Sequence, residues 1–221
     1  MMPPYCPEDA PPGEHALFRA LASSEETDGW IVLHSLAIAS HVRQVQGEAD
    51  FVVIVPGGGI LVIEVKSHAT VERLPDGRWK LGNQPPTTRD PFQQASEAMH
   101  SIREYLTSRG IDLRSVPMLD AVWFTHVRAR TMLPESPEWH RWQLLDSEDL
   151  KHGPPSAILR TLAAGTAHLE SRIAGLTYGG AGPDSALATR IAAVLRPKFE
   201  VAIVAGDIRR AREAQLAAFK L

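Results

Sequence analysis

The stretch Gly47-Glu-Ala-Asp50-Phe-Val-Val-Ile-Val55-Pro-Gly-Gly-Gly59-Ile-Leu-Val-Ile-Glu64-Val-Lys66 decides the fold. Two runs of β-branched and aromatic residues flank a glycine turn, which predicts a β-hairpin. Both faces of each run are apolar, as in a central strand covered on two sides. Asp50, Glu64 and Lys66 all fall at the end away from the turn, where an unpaired buried charge is costly. If the turn is the three glycines, Pro56 faces Ile60 and Asp50 faces Lys66. Positions 50, 64 and 66 then share one face, with Glu64 diagonal to Asp50. A four-residue turn would put Asp50 on the opposite face. With the shorter turn, two carboxylates and an ammonium converge. Two carboxylates completed by water suit Mg²⁺ or Mn²⁺, and a lysine beside them can orient an attacking water or balance charge on a phosphate. An isolated Glu-X-Lys reads as a salt-bridged strand end. An aspartate 14 residues earlier, on the paired strand, makes it a candidate site.

Outward from the hairpin, Glu14, Phe18 and Leu21 fall on one stripe of a helix that opens after Gly13. Residues 1–12 hold five prolines and are expected to form a poorly ordered arm. Trp30 to Leu36 reads as a strand. Downstream, Val71 to Leu81 suggests short edge strands about an Asp76-Gly77 turn. Asp90-Pro91 is an N-cap followed by proline at the first helical position, and the helix should run to Ser108. Met118 to Thr125 is a further buried strand, and Trp139 to Leu145 is expected to be the last. From Ser156 the pattern changes to alanine-rich helices at about 156–174, 184–195 and 207–220. The shift places a boundary near residue 150, with a core domain over 13–150 and a helical extension over 151–221.

The 221 residues are 44% apolar and 22% charged, which fits a globular protein and excludes a disordered tail, a collagen-like repeat or a coiled coil. No apolar run approaches a membrane span, and the first residues lack the pattern of a secretory signal. Cys6 is the single cysteine, so no internal disulfide can form and a reducing cytoplasm is the expected compartment. A net charge of −3 argues against gripping duplex by electrostatics alone, but a cation-binding site itself lowers net charge. Gly57-Gly58-Gly59 is followed by a strand and no Lys-Ser/Thr, so it is not a phosphate loop. The histidines show no zinc-ligand spacing, and no Gly-x-Ser-x-Gly elbow exists. Glu48 shares a predicted face with Asp50, as a supporting acid or a solvated strand-entry charge. His34 and His68 read as structural or surface histidines more readily than as phosphate contacts. For Trp139 and Trp142, core packing is the default over base stacking.

Gly13-Glu14, Trp30-Ile-Val-Leu-His34, Gly47-Glu-Ala-Asp50, Ile63-Glu64-Val-Lys66 and Asp90-Pro-Phe-Gln-Gln94, in that order, resemble the NERD (nuclease-related) domain of the PD-(D/E)XK nuclease-like superfamily. The resemblance covers roughly residues 12–130. It implies an α/β fold with an αβββαβ core, a central mixed sheet flanked by helices, and divalent-metal phosphodiester hydrolysis as the ancestral activity. By matching motif, Asp50 and Glu64 would be metal ligands, with Val65 completing the metal set, and Lys66 the catalytic lysine. Glu14 would be the first-helix carboxylate and Gln94 the polar residue of the following helix. His34 and Glu48 would stand behind them. The expected cofactor is Mg²⁺ or Mn²⁺ and the expected substrate DNA, with RNA open. A catalytically inactive nucleic-acid-binding or docking module of the same fold is the alternative. Such domains frequently precede superfamily 1 helicases, so the resemblance suggests a helicase partner in cis or trans. The last helical pattern, Asp207 to Leu221, is either an interface for that partner or a helix packed on its own domain.

Overall fold

In the computed structural model the described residues are 1–38, 47–179 and 182–197. Proline at the first turn opens α1 (Pro12–Ala22), which buries Glu14, Leu17, Phe18 and Leu21. The strands β1 (Ile31–Ile38), β2 (Gly47–Val55) and β3 (Gly59–Lys66) follow. The short strands β4 (Val71–Arg73) and β5 (Trp79–Leu81) pair as a separate ribbon. Helix α2 (Pro91–Ser108) starts where the Asp90 carboxylate caps the N–H groups of Phe92 and Gln93. It leads to β6 (Met118–Phe124), the short α3 (Ala129–Met132) and β7 (Leu144–Leu145). The chain continues through α4 (Ser147–His152), α5 (Pro154–Arg172) and α6 (Ser185–Leu195). The expected helix at 207–220 lies outside the described residues.

The five-stranded sheet has the order β1-β2-β3-β6-β7. Its first three strands are antiparallel, while β6 and β7 run parallel to β3. Leu17 and Leu21 of α1 and Ile158 and Leu162 of α5 cover one face through Phe51, Val53, Leu61, Ile63 and Trp123. On the other face, Ala98 and Ile102 of α2 and Ala188 and Ile191 of α6 lie over Leu33, Val52, Ile60 and Val62. This double cover explains why the hairpin strands are apolar on both sides; each buried Val, Leu, Ile or Phe contributes about 1.5–3 kcal/mol. The stretch beyond residue 150 therefore packs on both faces of the sheet.

Three local outcomes depart from the sequence reading. The turn is Pro56-Gly57-Gly58, with Val55 opposite Gly59, so the register sits two residues from the expected one. Gly57 (φ +74°) and Gly59 (φ +138°) take conformations that exclude a side chain. Trp139 to Gln143 is not a strand: Arg141–Gln143 forms a 3-10 turn in which the Gln143 side chain accepts the His140 N–H, and only Leu144 and Leu145 pair with β6. The proline-rich arm lays Met2 beside β1, its N–H bonded to Val32 O and its carbonyl to His34 N. The segment before α6 clasps the hairpin turn: Gly57 N–H donates to Pro183 O, and a Cβ on Gly182 would stand 2.4 Å from Gly58 N. No helix among the described residues is long and apolar enough to cross a membrane.

Candidate active site

The candidate site forms where the sheet comes apart at one end. The β1–β2 ladder pairs His34 with Phe51 and then Leu36 with Ala49, passing over Ser35 and Asp50. His34 and Phe51 lie on the α1 face, yet Leu36 and Ala49 belong to the core on the α2 face. Both strands thus turn over at the same place. Ser35 has φ +49°, a strained value for a residue with a side chain. The guanidinium of Arg196, just past α6, donates to the carbonyls of both His34 and Ser35, the latter at 2.7 Å. Removing it leaves two half-buried carbonyls short of a charged donor. Arg196→Ala should cost about 1.5–3 kcal/mol, and Arg196→Lys should restore part of it, because both bonds come from the single nitrogen Nη2 and one ammonium can also donate twice. Equilibrium urea unfolding of both variants checks this; equal stability of Arg196→Ala and the parent would refute it.

The β2–β3 ladder ends at Phe51 opposite Ile63, so Asp50 continues across from Glu64. There the Asp50 carboxylate replaces a strand partner, accepting the Val65 N–H at 2.7 Å. Glu64 is 8% exposed, and its carboxylate is ion-paired with the Lys66 ammonium. Asp50 is pushed up to about 8, first by burial and then by the Glu64 charge, with Glu14 adding a smaller push. The Val65 N–H and Lys66 oppose the rise. Asp50, Glu64, Lys66 and Glu14 therefore form one electrostatic neighbourhood.

Glu14 is only 7% exposed, and its Oε2 lies 3.0 Å from Nε2 of fully buried His34. Phe18 and Phe51 pack on the imidazole. Cys6 Sγ stands 4.0 Å from the same Nε2. A nucleophilic relay needs the two ring nitrogens to serve different partners, and burial together with Glu14 pushes the Cys6 thiol up, so no thiol chemistry is set up here. His34 instead holds the first-helix carboxylate.

Glycine at position 13 brings that carboxylate in. Its N–H donates to Ser67 Oγ at 2.9 Å, and a Cβ would lie 2.2 Å from both Ser67 Oγ and Thr125 Oγ1. Gly13→Ala must displace either those side chains or the start of α1. A loss of about 1–3 kcal/mol is expected, with Glu14 drawn off its position; thermal unfolding that leaves Gly13→Ala level with the parent would contradict this.

Two further expected residues are not hydrogen-bonded into that group. Glu48 is exposed and its charge acts on Arg196, not in the Asp50 group. Gln94 is half-buried in the first turn of α2, one turn before Ala98, and makes no hydrogen bond to Asp50, Glu64 or Lys66. Beyond Lys66, half-buried His68 is held below its ordinary pKa by burial first, then by Lys66 and His126, so its neutral form is favoured beside the lysine. Gly13 is part of a quoted motif, but its steric role shows only once Ser67 and Thr125 are placed. No local signal marks Ser35 or Arg196.

Hard oxygen donors on Asp50 and Glu64, repelling each other in a buried corner, fit an oxygen-ligated divalent cation. Among the described residues no group of three or more His, Cys, Asp or Glu is arranged to hold a metal, so water and main-chain oxygen would have to complete such a set. A family model described as "Nuclease-related domain" matches residues 12–125. The chain belongs to this family. No curated protein and no solved structure matches it. The nuclease-related domain begins at the proline that opens α1 and ends at Thr125, whose N–H bonds to Lys66 O at 3.1 Å. It contains Glu14, His34, Asp50, Glu64, Lys66 and Gln94, whereas Arg196 lies outside it.

Proposed function

We propose that this nuclease-related domain is a divalent-metal-dependent nuclease of the PD-(D/E)XK kind that hydrolyses phosphodiester bonds in DNA. The observation that carries the reading is the meeting of Asp50, Glu64 and Lys66 where the β2–β3 ladder ends. Asp50, Glu64 and the main-chain oxygen of Val65 would hold Mg²⁺ or Mn²⁺. When bound, such an ion polarises a phosphoryl oxygen and makes water acidic enough to attack near neutral pH. The Val65 N–H fixes the Asp50 carboxylate, and His34 and the α1 packing hold Glu14 beside it. Lys66 would orient the attacking water or balance charge on the phosphate.

A second reading, a nucleic-acid-binding or docking module without activity, draws support from the lack of a three-donor cluster among the described residues. The two separate when single- and double-stranded DNA and RNA are incubated with Mg²⁺, Mn²⁺ or EDTA. Cleavage with either ion and none in EDTA supports the nuclease; retention of strands without cleavage under every condition supports the module. A superfamily 1 helicase, in cis or trans, is the proposed source of unwound strand. The segment proposed to meet it, 207–221, lies outside the described residues.

A further inference from the structure

A second polar site lies away from Asp50, in a cavity of about 370 Å³ between α2, β6, the 3-10 turn and α5. That volume is in the range of small-molecule sites. In its wall Asp120 of β6 is a carboxylate 7% exposed, with no ion-pair partner among the described residues. Gln143 fixes its orientation: the amide Nε2 donates to Asp120 Oδ2 at 2.7 Å while Oε1 accepts the His140 N–H at 2.8 Å. The main-chain N–H of Asp120 itself also acts on the carboxylate, which keeps lone pairs for a further donor. The reading of Asp50, Glu64 and Lys66 makes no use of this carboxylate.

The lining is aromatic. His140 stacks on Trp142 with centroids 5.5 Å apart and planes 12° from parallel, and His168 lies 4.1 Å from His140. Room for the indole is built into α5. A Cβ on Gly165 would come within 3.0 Å of the Trp142 ring, so a glycine stands mid-helix where it costs about 1 kcal/mol relative to alanine.

We propose that this cavity binds one nucleotide unit, with the base packed on the His140, Trp142 and His168 cluster and its N–H edge on Asp120. A planar ring system answers the aromatic lining, and an N–H edge answers a buried carboxylate that only one other side chain meets. The unit is either a free mononucleotide or an unpaired residue of a strand.

Isothermal titration calorimetry in EDTA distinguishes the sources and is independent of cleavage, so failure of the nuclease reading leaves the result intact. The probes are the four ribonucleoside 5′-monophosphates and a mixed tetradeoxynucleotide. Saturable binding of a monophosphate assigns the cavity to free nucleotide; binding of the tetranucleotide alone assigns it to a strand. In both cases Asp120→Asn, with His168→Ala as a second variant, should weaken binding at least about tenfold while circular dichroism shows the parent fold. No saturable binding by any probe overturns the proposal, as does binding that survives both substitutions unchanged.

Discussion

Replacing Asp50, Glu64 or Lys66 by alanine is expected to lower the rate of DNA cleavage by about a thousandfold or more. Each substitution removes either an anionic oxygen donor or the cation that faces the phosphate, and groups acting as one unit fail together rather than additively. The effect on folding should differ among them. Asp50 is buried beside a like charge and pushed up to about 8, so Asp50→Ala should leave the melting temperature at or above that of the parent. Glu64→Ala strands the Lys66 ammonium, whose ion-pair partner is Glu64 itself, so Glu64→Gln, which keeps an oxygen for it, is the cleaner variant. Initial rates with Mg²⁺ or Mn²⁺, taken with melting curves for each protein, test the assignment. Undiminished cleavage in Glu64→Gln, or cleavage that persists in EDTA, would falsify it.

Asp120→Asn should stabilise the protein, and the gain should depend on pH. Burial raises the Asp120 carboxyl from 3.8 to about 6, with the Gln143 hydrogen bond opposing. Below pH 3.8 both folded and unfolded chains hold the proton. Between that value and about 6 the unfolded chain releases it while the folded chain keeps it, so rising pH favours unfolding until both are ionised. The ionised group therefore costs the fold about 3 kcal/mol above pH 6. Asparagine can keep the Gln143 bond without the charge. The melting temperature should rise by roughly 6–12 °C at pH 8 and hardly change at pH 4. Calorimetric scans at pH 4, 6 and 8 check this; an equal shift at all three would mean that the carboxylate is not what strains the site.

The hairpin and its two-sided burial are legible because alternation and apolarity report the same double cover. Asp50 and Glu64 remain neighbours despite a register error. The strands are two residues from the expected alignment, and a shift of two leaves the regular ladder positions on their faces. Asp50 therefore stands across from Glu64 instead of Lys66. The reversal at Ser35 and Asp50 is not legible, since it depends on Arg196 from far along the chain. Trp139 to Leu145 looks like a strand because its apolar residues serve other purposes. Trp139 stacks on Phe92 at 5.1 Å in the core, and Trp142 lies against Gly165.

The clasp of Gly182 and Pro183 on the hairpin turn bears on how the protein acquires its structure. The β2–β3 hairpin is local and can form as soon as it is made, but α5 and α6 close its two faces only after the rest of the sheet exists. Contacts of such long sequence separation slow folding, because loop entropy is lost before the contacts compensate. During synthesis, a strand pair apolar on both sides must wait for helices that emerge much later, and exposed edges of that kind invite association. A chaperone that shields the nascent hairpin should thus raise the yield of native protein more than one acting on the finished chain. Polypeptides ending at residue 125 should aggregate, because α5 and α6, which complete the cover that α1 and α2 begin, have been left behind.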